Sequence, residues 1–367
     1  MRITAIELYG YELTYAHGEY VMSGGRAATA QHSTLVRIVT NAGIEGWGET
    51  ATLGATYLPT FTGSTRAALR ELAPHLIGVD PRGTVAVERI MDGVLMGHLN
   101  AKGALETACW DAFARAVELP LTALLGGVLN EDFPLYEAVP LGPPEEMAAF
   151  VVRRGAAGIR RFQLKVGNDP KEDAARVWAV AEVAAPDMLV IADANGGWCL
   201  QDAVVAVGLM AGTGVHVEQP CREVSDCALI RARTDLPIVM DETVVTLPDL
   251  VRAKQEVGAG AVNLKIGRLG GIGPTVRMRD AATALGMRMC IEDMWGGDVV
   301  TAAVAHLAAS TRPEALMHAS FFNDWTLEHV AGYLPRSKGG RGSASTGPGL
   351  GVVPDRAMLG APLARFE

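Results

Sequence analysis

Five ionisable residues recur along the chain at intervals of about 24 residues, each at the end of a short apolar run. They are two lysines and three acids, in the order Lys165, Asp193, Glu218, Asp241 and Lys265. One strand followed by one helix occupies about this length, and this pair is the repeating unit of a β/α barrel. Because the C-terminal ends of barrel strands face one mouth, the spacing predicts that all five side chains enter the same cavity.

The three acids and the two lysines suit two different chemical tasks. Carboxylate oxygens are the ligands that a hard divalent cation prefers, so Asp193, Glu218 and Asp241 are predicted to bind a metal. Lys165 and Lys265 would lie on opposite walls of the cavity, as a pair of proton-transfer groups. A lysine that accepts a proton near neutral pH needs a lowered pKa, which desolvation, a metal ion and a second ammonium group all favour.

The elements that would position these residues form an alternation of strands and helices from about residue 133 onward. Eight short apolar segments at barrel spacing predict a β/α barrel. We place this catalytic domain at residues 126–334. The predicted barrel strands are 134–138, 162–166, 189–193, 215–218, 238–241, 262–265, 288–291 and 316–319.

The first third of the chain has a different pattern, with three strands followed by helices. Residues 1–125 are therefore predicted to form an α+β capping domain, which the Gly- and Ser-rich segment 335–367 completes. Between the first two strands lies a polar stretch that contains Gly18, Gly24 and Gly25. We interpret this stretch as a mobile lid over the barrel mouth.

Composition and charge exclude several classes of function. The chain has 367 residues, of which 49% are hydrophobic, and its net charge of -9 argues against a nucleic-acid partner. The chain contains no run of 18 apolar residues, so no membrane span is predicted. The N-terminus lacks the apolar core of a signal peptide. The five cysteines are scattered and odd in number, as is typical of reduced thiols in the cytoplasm. We therefore expect a cytoplasmic protein that acts on a small molecule.

Several short motifs occur in an order and at a spacing that are specific together, although each is weak alone. They include GWGE, KGALETACWD, FQLKVG, ADAN, EQP, MDE, NLKIGRLGG and the final GPGLG. In these motifs the chain resembles the enolase superfamily, in its mandelate racemase and muconate-lactonizing branch. The resemblance implies an α/β fold, a modified (β/α)7β barrel of the TIM type with an N-terminal α+β capping domain. It also implies Mg²⁺ as the cofactor, abstraction of a proton alpha to a carboxylate, and a homo-oligomer.

Two departures from the family pattern bear on which residue is the base. The family often has Lys-x-Lys on the second barrel strand, whereas the first position here is Gln163. The histidine base of mandelate racemases is absent from the corresponding seventh-strand segment, CIEDMWGGD. The resemblance therefore places the chain in a two-lysine group, with Lys165 and Lys265 as catalytic residues. Asn195 is expected to contact the metal site or to fix its loop, and Glu242 to orient Lys265 or the metal ligands.

The end of the seventh strand gives an indication of the substrate. Glu292, Asp293 and Asp298 lie there with Trp295 among them. Acids beside an aromatic ring favour a positively charged substrate group, such as a ring ammonium. Alternatively, the acids pair with arginines of the capping domain and Trp295 is a packing residue. The residues that we expect to contact the substrate are Tyr20, Tyr57, Gln163, Asn195, Glu292, Asp293 and Trp295.

Further motifs narrow the expected reaction. ATLGATYLP, MSGGR and IEDMWGGD resemble the branch of the family that acts on proline derivatives. This implies dehydration of cis-3-hydroxy-L-proline through an enediolate. The alternative is 2-epimerisation of proline betaine, hydroxyproline betaine or a related amino acid. Two other classes stay open: a Schiff-base aldolase would need a lysine but no metal, and a non-catalytic scaffold protein would be expected to lack one of the five residues.

Overall fold

The strands form two main sheets of different kinds, an antiparallel sheet near the N-terminus and a parallel sheet that forms a barrel. The computed structural model describes residues 1–367. Its strands are β1 (Ile3–Thr14), β2 (Tyr20–Val21), β3 (Ala27–Ala28), β4 (Ala30–Thr40), β5 (Glu45–Ala51), β6 (Phe133–Pro134), β7 (Glu137–Val139), β8 (Arg161–Lys165), β9 (Leu189–Asp193), β10 (His216–Glu218), β11 (Ile238–Met240), β12 (Ala261–Lys265), β13 (Arg288–Glu292), β14 (Leu316–Ala319), β15 (Arg341–Gly342) and β16 (Ala364–Phe366).

Helices surround the barrel and cover the antiparallel sheet. None of them has the length and apolar composition that crossing a bilayer requires. The α-helices are α1 (Thr62–Leu72), α2 (Thr84–Val94), α3 (Leu99–Ala116), α4 (Leu121–Leu124), α5 (Pro144–Ala156), α6 (Pro170–Val183), α7 (Leu200–Leu209), α8 (Val224–Arg231), α9 (Leu247–Arg252), α10 (Ile266–Leu269), α11 (Ile272–Ala284), α12 (Asp298–Ala309) and α13 (Arg356–Leu359). Other helical turns cover Ser23–Gly25, Ala73–Leu76, Ala253–Val257 and Phe322–Trp325.

The barrel consists of eight parallel strands, β7 to β14, each hydrogen-bonded to the next. Helical connections carry the chain from each strand to the following one, as in a β/α barrel. Leu135 forms a parallel bridge with Ala319, which joins the two edges of the curled sheet. The predicted (β/α)7β architecture is confirmed.

The first predicted barrel strand, 134–138, is wrong in one detail. It is divided into β6, which pairs with β15, and β7, which pairs with β8. Pro134 has no N–H to donate to a ladder, so a continuous central strand cannot form through it. The other seven predicted strands differ from the observed ones by at most one residue at either end.

The interior of the barrel is layered, because neighbouring strand residues alternate between inside and outside. Ile191, Val239, Ala261 and Met317 form a buried apolar cluster within the barrel. Ile191 precedes the last residue of β9 by two positions, so both side chains share the inward-facing side of that strand. The apolar layer therefore lies beneath the polar residues at the strand ends.

The capping domain packs its sheet, in the order β16-β1-β4-β5, against α1, α2 and α3. Gly46 and Gly48 on β5 allow the closest approach to α3. A Cβ atom at Gly46 would lie 2.1 Å from the Ala108 carbonyl oxygen, and one at Gly48 would lie 1.9 Å from that of Ala104. The C-terminal β16 pairs with β1, so the end of the chain returns to the first sheet. The domain boundaries near residues 125 and 334 stay a prediction.

Two buried carboxylates of the capping domain bind the N-terminal ends of barrel helices. Glu49 accepts a hydrogen bond from the backbone N–H of Gly297, at 3.0 Å, at the start of α12. Glu106 on α3 accepts hydrogen bonds from the N–H groups of Ile272 (2.7 Å) and Gly273 (2.9 Å) at the start of α11. The first N–H groups of a helix have no partner within it, so these contacts satisfy them and attach the cap to the barrel.

The Glu106 carboxyl should make the stability of the protein fall as the pH rises. Burial raises its pKa from 4.5 to about 8, although the N–H donors oppose this shift. The unfolded chain loses the proton near pH 4.5, so between pH 4.5 and 8 the folded state binds more protons and loses stability with rising pH. The loss is at most roughly 1.4 kcal/mol for each pH unit. Urea unfolding at pH 5 and pH 8 should show a smaller decline for Glu106→Gln than for the parent chain.

The matched control for this experiment is Glu71, an exposed acid on α1 of the same domain. Glu71→Gln should keep the decline of the parent chain. If the parent and Glu106→Gln declined equally, the buried Glu106 carboxyl would not be the source of the pH dependence.

Candidate active site

The five recurrent ionisable residues lie side by side at one mouth of the barrel. Lys165, Asp193 and Glu218 end β8, β9 and β10, Asp241 follows β11, and Lys265 ends β12. All five are between 0% and 6% exposed. The strand order places the three acids between the two lysines, and β12 is four strands away from β8 in a ring of eight. The lysines therefore face each other across the mouth.

Each lysine of the mouth is paired with one acid. Lys165 Nζ lies 2.5 Å from Asp193 Oδ2, and Lys265 Nζ lies 2.8 Å from Asp241 Oδ2. Burial alone would lower the pKa of both lysines, but the carboxylates beside them raise it above the usual value. This differs from the lowered pKa expected of a lysine base, which could act only after its contact with the carboxylate is broken. Arg268 adds a second cation to Asp241, at 2.6 Å. Burial would raise the pKa of Asp241, but Arg268 and Lys265 hold it below its usual range.

Glu218, the middle acid, is held by neutral amides. Gln163 Nε2 donates to both carboxylate oxygens, at 3.0 and 3.1 Å, and Asn263 Nδ2 donates to one of them at 2.8 Å. Burial raises the pKa of Glu218 well above its usual value, and the charges of Asp193 and Asp241 raise it further. A positive charge beside these three acids would relieve that repulsion.

The chemistry of the three acids fits a divalent cation. Mg²⁺ takes oxygen ligands and commonly uses carboxylates together with water, and Asp193, Glu218 and Asp241 present carboxylates from three adjacent strands. In the present arrangement no group of three His, Cys, Asp or Glu side chains is close enough together to hold one ion. Lys165 and Lys265 occupy one oxygen each of the two outer acids. A bound cation would therefore replace these two ion pairs.

Glu292 at the end of β13 connects the acids with the first barrel strand. Its carboxylate accepts hydrogen bonds from Tyr136 Oη at 2.5 Å and from Asn263 Nδ2 at 2.9 Å. Lys265 Nζ lies 3.6 Å away. Burial raises the pKa of Glu292, and the Lys265 charge opposes this shift. Because Asn263 also donates to Glu218, one amide links the two carboxylates.

Asp293 and Asp298 bind backbone groups. Asp293 lines the cavity of the mouth, but its carboxylate accepts hydrogen bonds from the N–H groups of Gly267 at 3.0 Å and Met294 at 2.7 Å. Burial raises its pKa to about 7, and these N–H groups oppose the shift. Asp298 does not line this cavity, and it accepts a hydrogen bond from the Ala331 N–H at 2.7 Å. Backbone N–H groups thus hold both carboxylates, whereas Glu292 is held by side chains.

A small cavity of about 20 Å³ lies at the mouth. It has room for about one water molecule, so a substrate can enter only if the covering loops move. The ring centroid of Trp295 lies 5.3 Å from that of Tyr20 and 5.9 Å from that of Trp325. Tyr57 Oη accepts a hydrogen bond from Lys265 Nζ at 2.8 Å. The cavity is lined by both lysines and by all seven residues predicted to contact the substrate: Tyr20, Tyr57, Gln163, Asn195, Glu292, Asp293 and Trp295.

Asn195 connects two acids beside the mouth. Its Nδ2 donates to Asp193 Oδ2 at 2.9 Å and to Glu242 Oε1 at 3.0 Å. Burial raises the pKa of Glu242 to about 7, and the charges of Asp241 and Asp193 act in the same direction. Glu242 lines a second cavity, of about 370 Å³, between the capping domain and the barrel. Glu242 thus accepts a hydrogen bond from Asn195, whereas its neighbour Asp241 accepts one from Lys265.

Three residues of the site were not predicted from the sequence: Tyr136, Asn263 and Arg268. Asn263 lies two residues before Lys265, so strand alternation directs both side chains inward, and this signal is present in the NLKIGRLGG motif. Arg268 is in the same motif, but it lies on the short helix α10, which directs its side chain toward Asp241. Strand periodicity does not predict this contact. Tyr136 reaches the mouth only through the closure of the barrel.

The Gly-rich stretch between β1 and β4 lies over the mouth and contacts the barrel loops. Ser23 Oγ donates to the Ala194 carbonyl oxygen at 3.2 Å, and the Gly24 N–H donates to Asn168 Oδ1 at 2.8 Å. These hydrogen bonds between the stretch and the barrel loops have to break if the stretch moves away from the mouth. Segments held by few such bonds are typical of loops that open locally. Its role as a lid stays a prediction.

Ligands should protect this loop from proteolysis if it closes over an occupied cavity. Arg26 is a trypsin site within it, and its guanidinium contacts Ser23 at 2.6 and 2.8 Å. We expect cleavage after Arg26 to slow when Mg²⁺ and cis-3-hydroxy-L-proline are added, because the loop then opens less often. Cleavage after Lys338, an exposed lysine outside the mouth, should stay constant. Mass spectrometry of the fragments measures both rates, and unchanged cleavage at Arg26 would contradict the lid.

Family models match both domains of the chain. Residues 13–126 match the mandelate racemase / muconate lactonizing enzyme N-terminal domain, and residues 146–358 match the enolase C-terminal domain-like model. The chain therefore belongs to the mandelate racemase and muconate lactonizing enzyme family of the enolase superfamily. The resemblance seen in the sequence motifs is confirmed.

Individual relatives are similar over most or all of the chain. The cis-3-hydroxy-L-proline dehydratase of Roseibium aggregatum is 41% identical over 367 residues, which covers 100% of both chains. The N-succinyl-L-Arg/Lys racemase of Bacillus cereus is 29% identical, with 85% of each chain covered. A crystal structure of an enolase superfamily member from Roseovarius nubinhibens, complexed with magnesium, has a TM-score of 0.94 at 32% identity. That match covers 100% of this chain and 99% of the other.

Proposed function

We propose that the protein is a Mg²⁺-dependent dehydratase that acts on cis-3-hydroxy-L-proline through an enediolate. The observation that carries the chemistry is the pair of buried lysines, Lys165 and Lys265, on opposite walls of a mouth rich in carboxylates. The choice of substrate rests on the similarity to the Roseibium aggregatum dehydratase along the whole chain.

The stereochemistry of this substrate suits two groups on opposite faces. In cis-3-hydroxy-L-proline the hydroxyl and the carboxylate share one face of the ring, so the alpha proton is on the other face. Loss of water then needs a base on one face and an acid on the opposite one. Lys165 and Lys265 are placed to supply both, and which lysine takes which role is left open.

The proton and electron movements balance with the two lysines. One lysine, neutral at that moment, takes the alpha proton, and the electron pair of the C–H bond passes into the carboxylate to form the enediolate. The electron pair then forms the C2–C3 double bond as the C3–O bond breaks, and the second lysine gives its proton to the departing hydroxyl. Water leaves, and the product is a cyclic enamine that tautomerises to an imine.

The residues that would hold Mg²⁺ are Asp193, Glu218 and Asp241. When bound there, Mg²⁺ would supply positive charge that stabilises the developing enediolate. Gln163 and Asn263 donate to Glu218, and Arg268 donates to Asp241, which supports a set of ligands oriented in advance. Gln163 in place of the lysine often seen in the family thus acts on a predicted metal ligand.

A cationic group of the substrate has a place beside Glu292. This carboxylate and the rings of Tyr20 and Trp295 line the same cavity, and such a combination attracts an ammonium group. Lys165 Nζ already lies 5.9 Å from the Tyr20 ring centroid, so the ring can accommodate a neighbouring cation. These contacts support an amino acid with a ring nitrogen as the substrate.

A 2-epimerase of proline betaine, hydroxyproline betaine or a related amino acid is the second candidate. The same two lysines would serve, one removing the alpha proton and the other returning a proton to the opposite face. The similarity to the N-succinyl-L-Arg/Lys racemase favours this reading. The two reactions differ only in the fate of the enediolate, and therefore in whether the substrate carries a leaving group at C3.

Proton NMR in D₂O with Mg²⁺ separates the two candidates. We expect the alpha-proton signal of cis-3-hydroxy-L-proline to disappear while signals of a pyrroline product grow. With trans-3-hydroxy-L-proline the hydroxyl and the alpha proton share one face, so exchange should continue with little loss of water. Trans-4-hydroxy-L-proline, L-proline and proline betaine complete the panel.

Each outcome of this experiment has a distinct meaning. Exchange with inversion and without water loss, most of all on proline betaine, would establish the epimerase. Activity that survives a chelator would favour the metal-free aldolase chemistry instead. No exchange with any compound of the panel would reject a proline derivative as the substrate.

A further inference from the structure

The end of the barrel opposite the mouth carries basic side chains without acidic partners. Arg161 begins β8, His216 begins β10, Arg288 begins β13, and His318 lies on β14. None of these four residues takes part in the site described above. We call them the barrel floor.

Strand alternation directs the barrel floor into the barrel. Arg161 precedes Lys165 by four residues on β8, and Arg288 likewise precedes Glu292 on β13. His216 lies two residues before the end of β10. Residues at even spacing share one face of a strand, so all three side chains point toward the interior. At about 3.3 Å for each residue, the two arginines lie roughly 13 Å from the mouth.

His318 faces the same interior from the last barrel strand. A register shift between β13 and β14 leaves Met317 unpaired and interrupts the alternation there, so that His318 pairs with Cys290, which lies two residues before Glu292. The ring centroid of His318 lies 4.9 Å from that of Tyr136, whose hydroxyl binds Glu292 at the mouth. His318 is 2% exposed, so its ring is enclosed by the barrel.

Polar atoms of the barrel floor lack hydrogen-bond partners although they are buried. They are Nδ1 of His216, Nδ1 of His318 and Nε of Arg161. A buried polar atom without a partner is costly, so three in one place call for an explanation. The Nε–H of Arg161 is a hydrogen-bond donor, and Nδ1 of a neutral histidine is a donor in one of the two tautomers of the ring. One acceptor could therefore bind all three of these nitrogen atoms.

The acids Asp187 and Asp132 near the barrel floor are already paired with other arginines. Asp187, whose charge acts on Arg161, already pairs with Arg160 at 2.9 Å. Arg341 adds positive charge to the same region and pairs with Asp132 at 2.5 Å. Arg161 itself donates only to backbone carbonyl oxygens, at 3.0 and 3.1 Å. Neither Arg161 nor Arg288 forms an ion pair with either of these acids.

The charges of the two arginines affect the two histidines. Burial, together with the charges of Arg161 and Arg288, lowers the pKa of His318 to about 3. Burial and the Arg288 charge also lower the pKa of His216. Both rings are therefore neutral at neutral pH, and each has one ring N–H to donate.

We propose that the barrel floor is a binding site for a small oxyanion of the phosphate or sulfate type. Arg161 and Arg288 supply the positive charge, and the ring N–H groups of His216 and His318 supply further hydrogen bonds. Arg288 is exposed, so the anion can enter from solvent at the N-terminal end of the barrel. A bound anion would connect β8, β10, β13 and β14 across the barrel axis.

Thermal unfolding of the full chain in inorganic phosphate tests this site. Phosphate, sulfate or acetate is titrated against chloride at equal ionic strength, without Mg²⁺. We expect phosphate and sulfate to raise Tm in a saturable manner and acetate to have little effect. In Arg288→Gln the apparent Kd for phosphate should rise at least about tenfold. Arg89→Gln removes an exposed arginine of α2 and should respond as the parent chain does.

Histidine NMR supplies a readout that general salt stabilisation would not change. Of the eight histidines, His216 and His318 should show ring signals that shift with phosphate, and His216→Asn assigns one of them. Phosphate also stabilises proteins by exclusion from their surface, but that effect is not saturable and is the same in every variant. An equal response of Arg288→Gln and the parent, ring signals that do not move, or a response to acetate alone would overturn the proposal.

Discussion

Replacing either Lys165 or Lys265 with methionine should abolish dehydration of cis-3-hydroxy-L-proline, but only one of the two replacements should abolish exchange of its alpha proton. The base is required for both events, whereas the acid is required only for departure of the hydroxyl. A positioned acid or base contributes about 10²–10⁴-fold to a rate, so we expect turnover to fall by about 10³-fold in each variant. Methionine preserves most of the apolar stem of these buried side chains.

One NMR experiment in D₂O follows exchange and product together. The variant without the base should keep its alpha-proton signal, and the variant without the acid should exchange it for deuterium while releasing little product. Each replacement removes one partner of a buried ion pair, so the unfolding temperature of each variant is measured first. Lys338→Met changes an exposed lysine and is the control. Normal turnover in either variant would end the two-lysine mechanism.

Asp241→Asn should abolish Mg²⁺ binding, whereas Glu242→Gln should preserve most of it. Asp241 and Glu242 both follow the end of β11, and their side chains contact different groups. Asp241 binds Lys265 and Arg268, while Glu242 contacts Asn195 and lines the second cavity. We expect the Kd for Mg²⁺ to rise at least about 100-fold in Asp241→Asn and less than about tenfold in Glu242→Gln.

Isothermal titration calorimetry with Mg²⁺ measures these affinities without relying on catalysis. Asp187→Asn alters an acid far from the mouth and should bind Mg²⁺ as the parent chain does, since its only ion pair is with Arg160. Weak binding by Glu242→Gln together with normal binding by Asp241→Asn would show that the wrong acid of the pair was chosen as the metal ligand.

The positions of the strand-end residues could be predicted because barrel strands have a strict period. Lys165, Asp193, Glu218 and Lys265 each end an apolar run that folds as a barrel strand. An error of one residue in any of these strands would turn the side chain outward. The structure brings the four together with Asp241, and their roles in catalysis and metal binding stay predictions.

The hydrogen-bond partners of these residues could not be predicted in the same way. Asp293 lines the cavity, and its contact with the substrate stays a prediction, but the sequence does not indicate that its carboxylate binds the N–H groups of Gly267 and Met294. Arg268 reaches Asp241 through a helical turn of four residues. Connecting segments set the direction of such side chains, and they have no periodic pattern from which it could be read.

A crystal structure with Mg²⁺ and pyrrole-2-carboxylate would test most directly that two lysines face each other across the alpha carbon. Like the enediolate, pyrrole-2-carboxylate is planar at C2. Compounds that resemble the transition state or a high-energy intermediate bind in the orientation that the reaction requires. We predict Mg²⁺ at Asp193, Glu218 and Asp241. The Nζ atoms of Lys165 and Lys265 should lie on opposite faces of the ring, each roughly 3–3.5 Å from C2. Both lysines on one face, or an ion held by other residues, would contradict the mechanism.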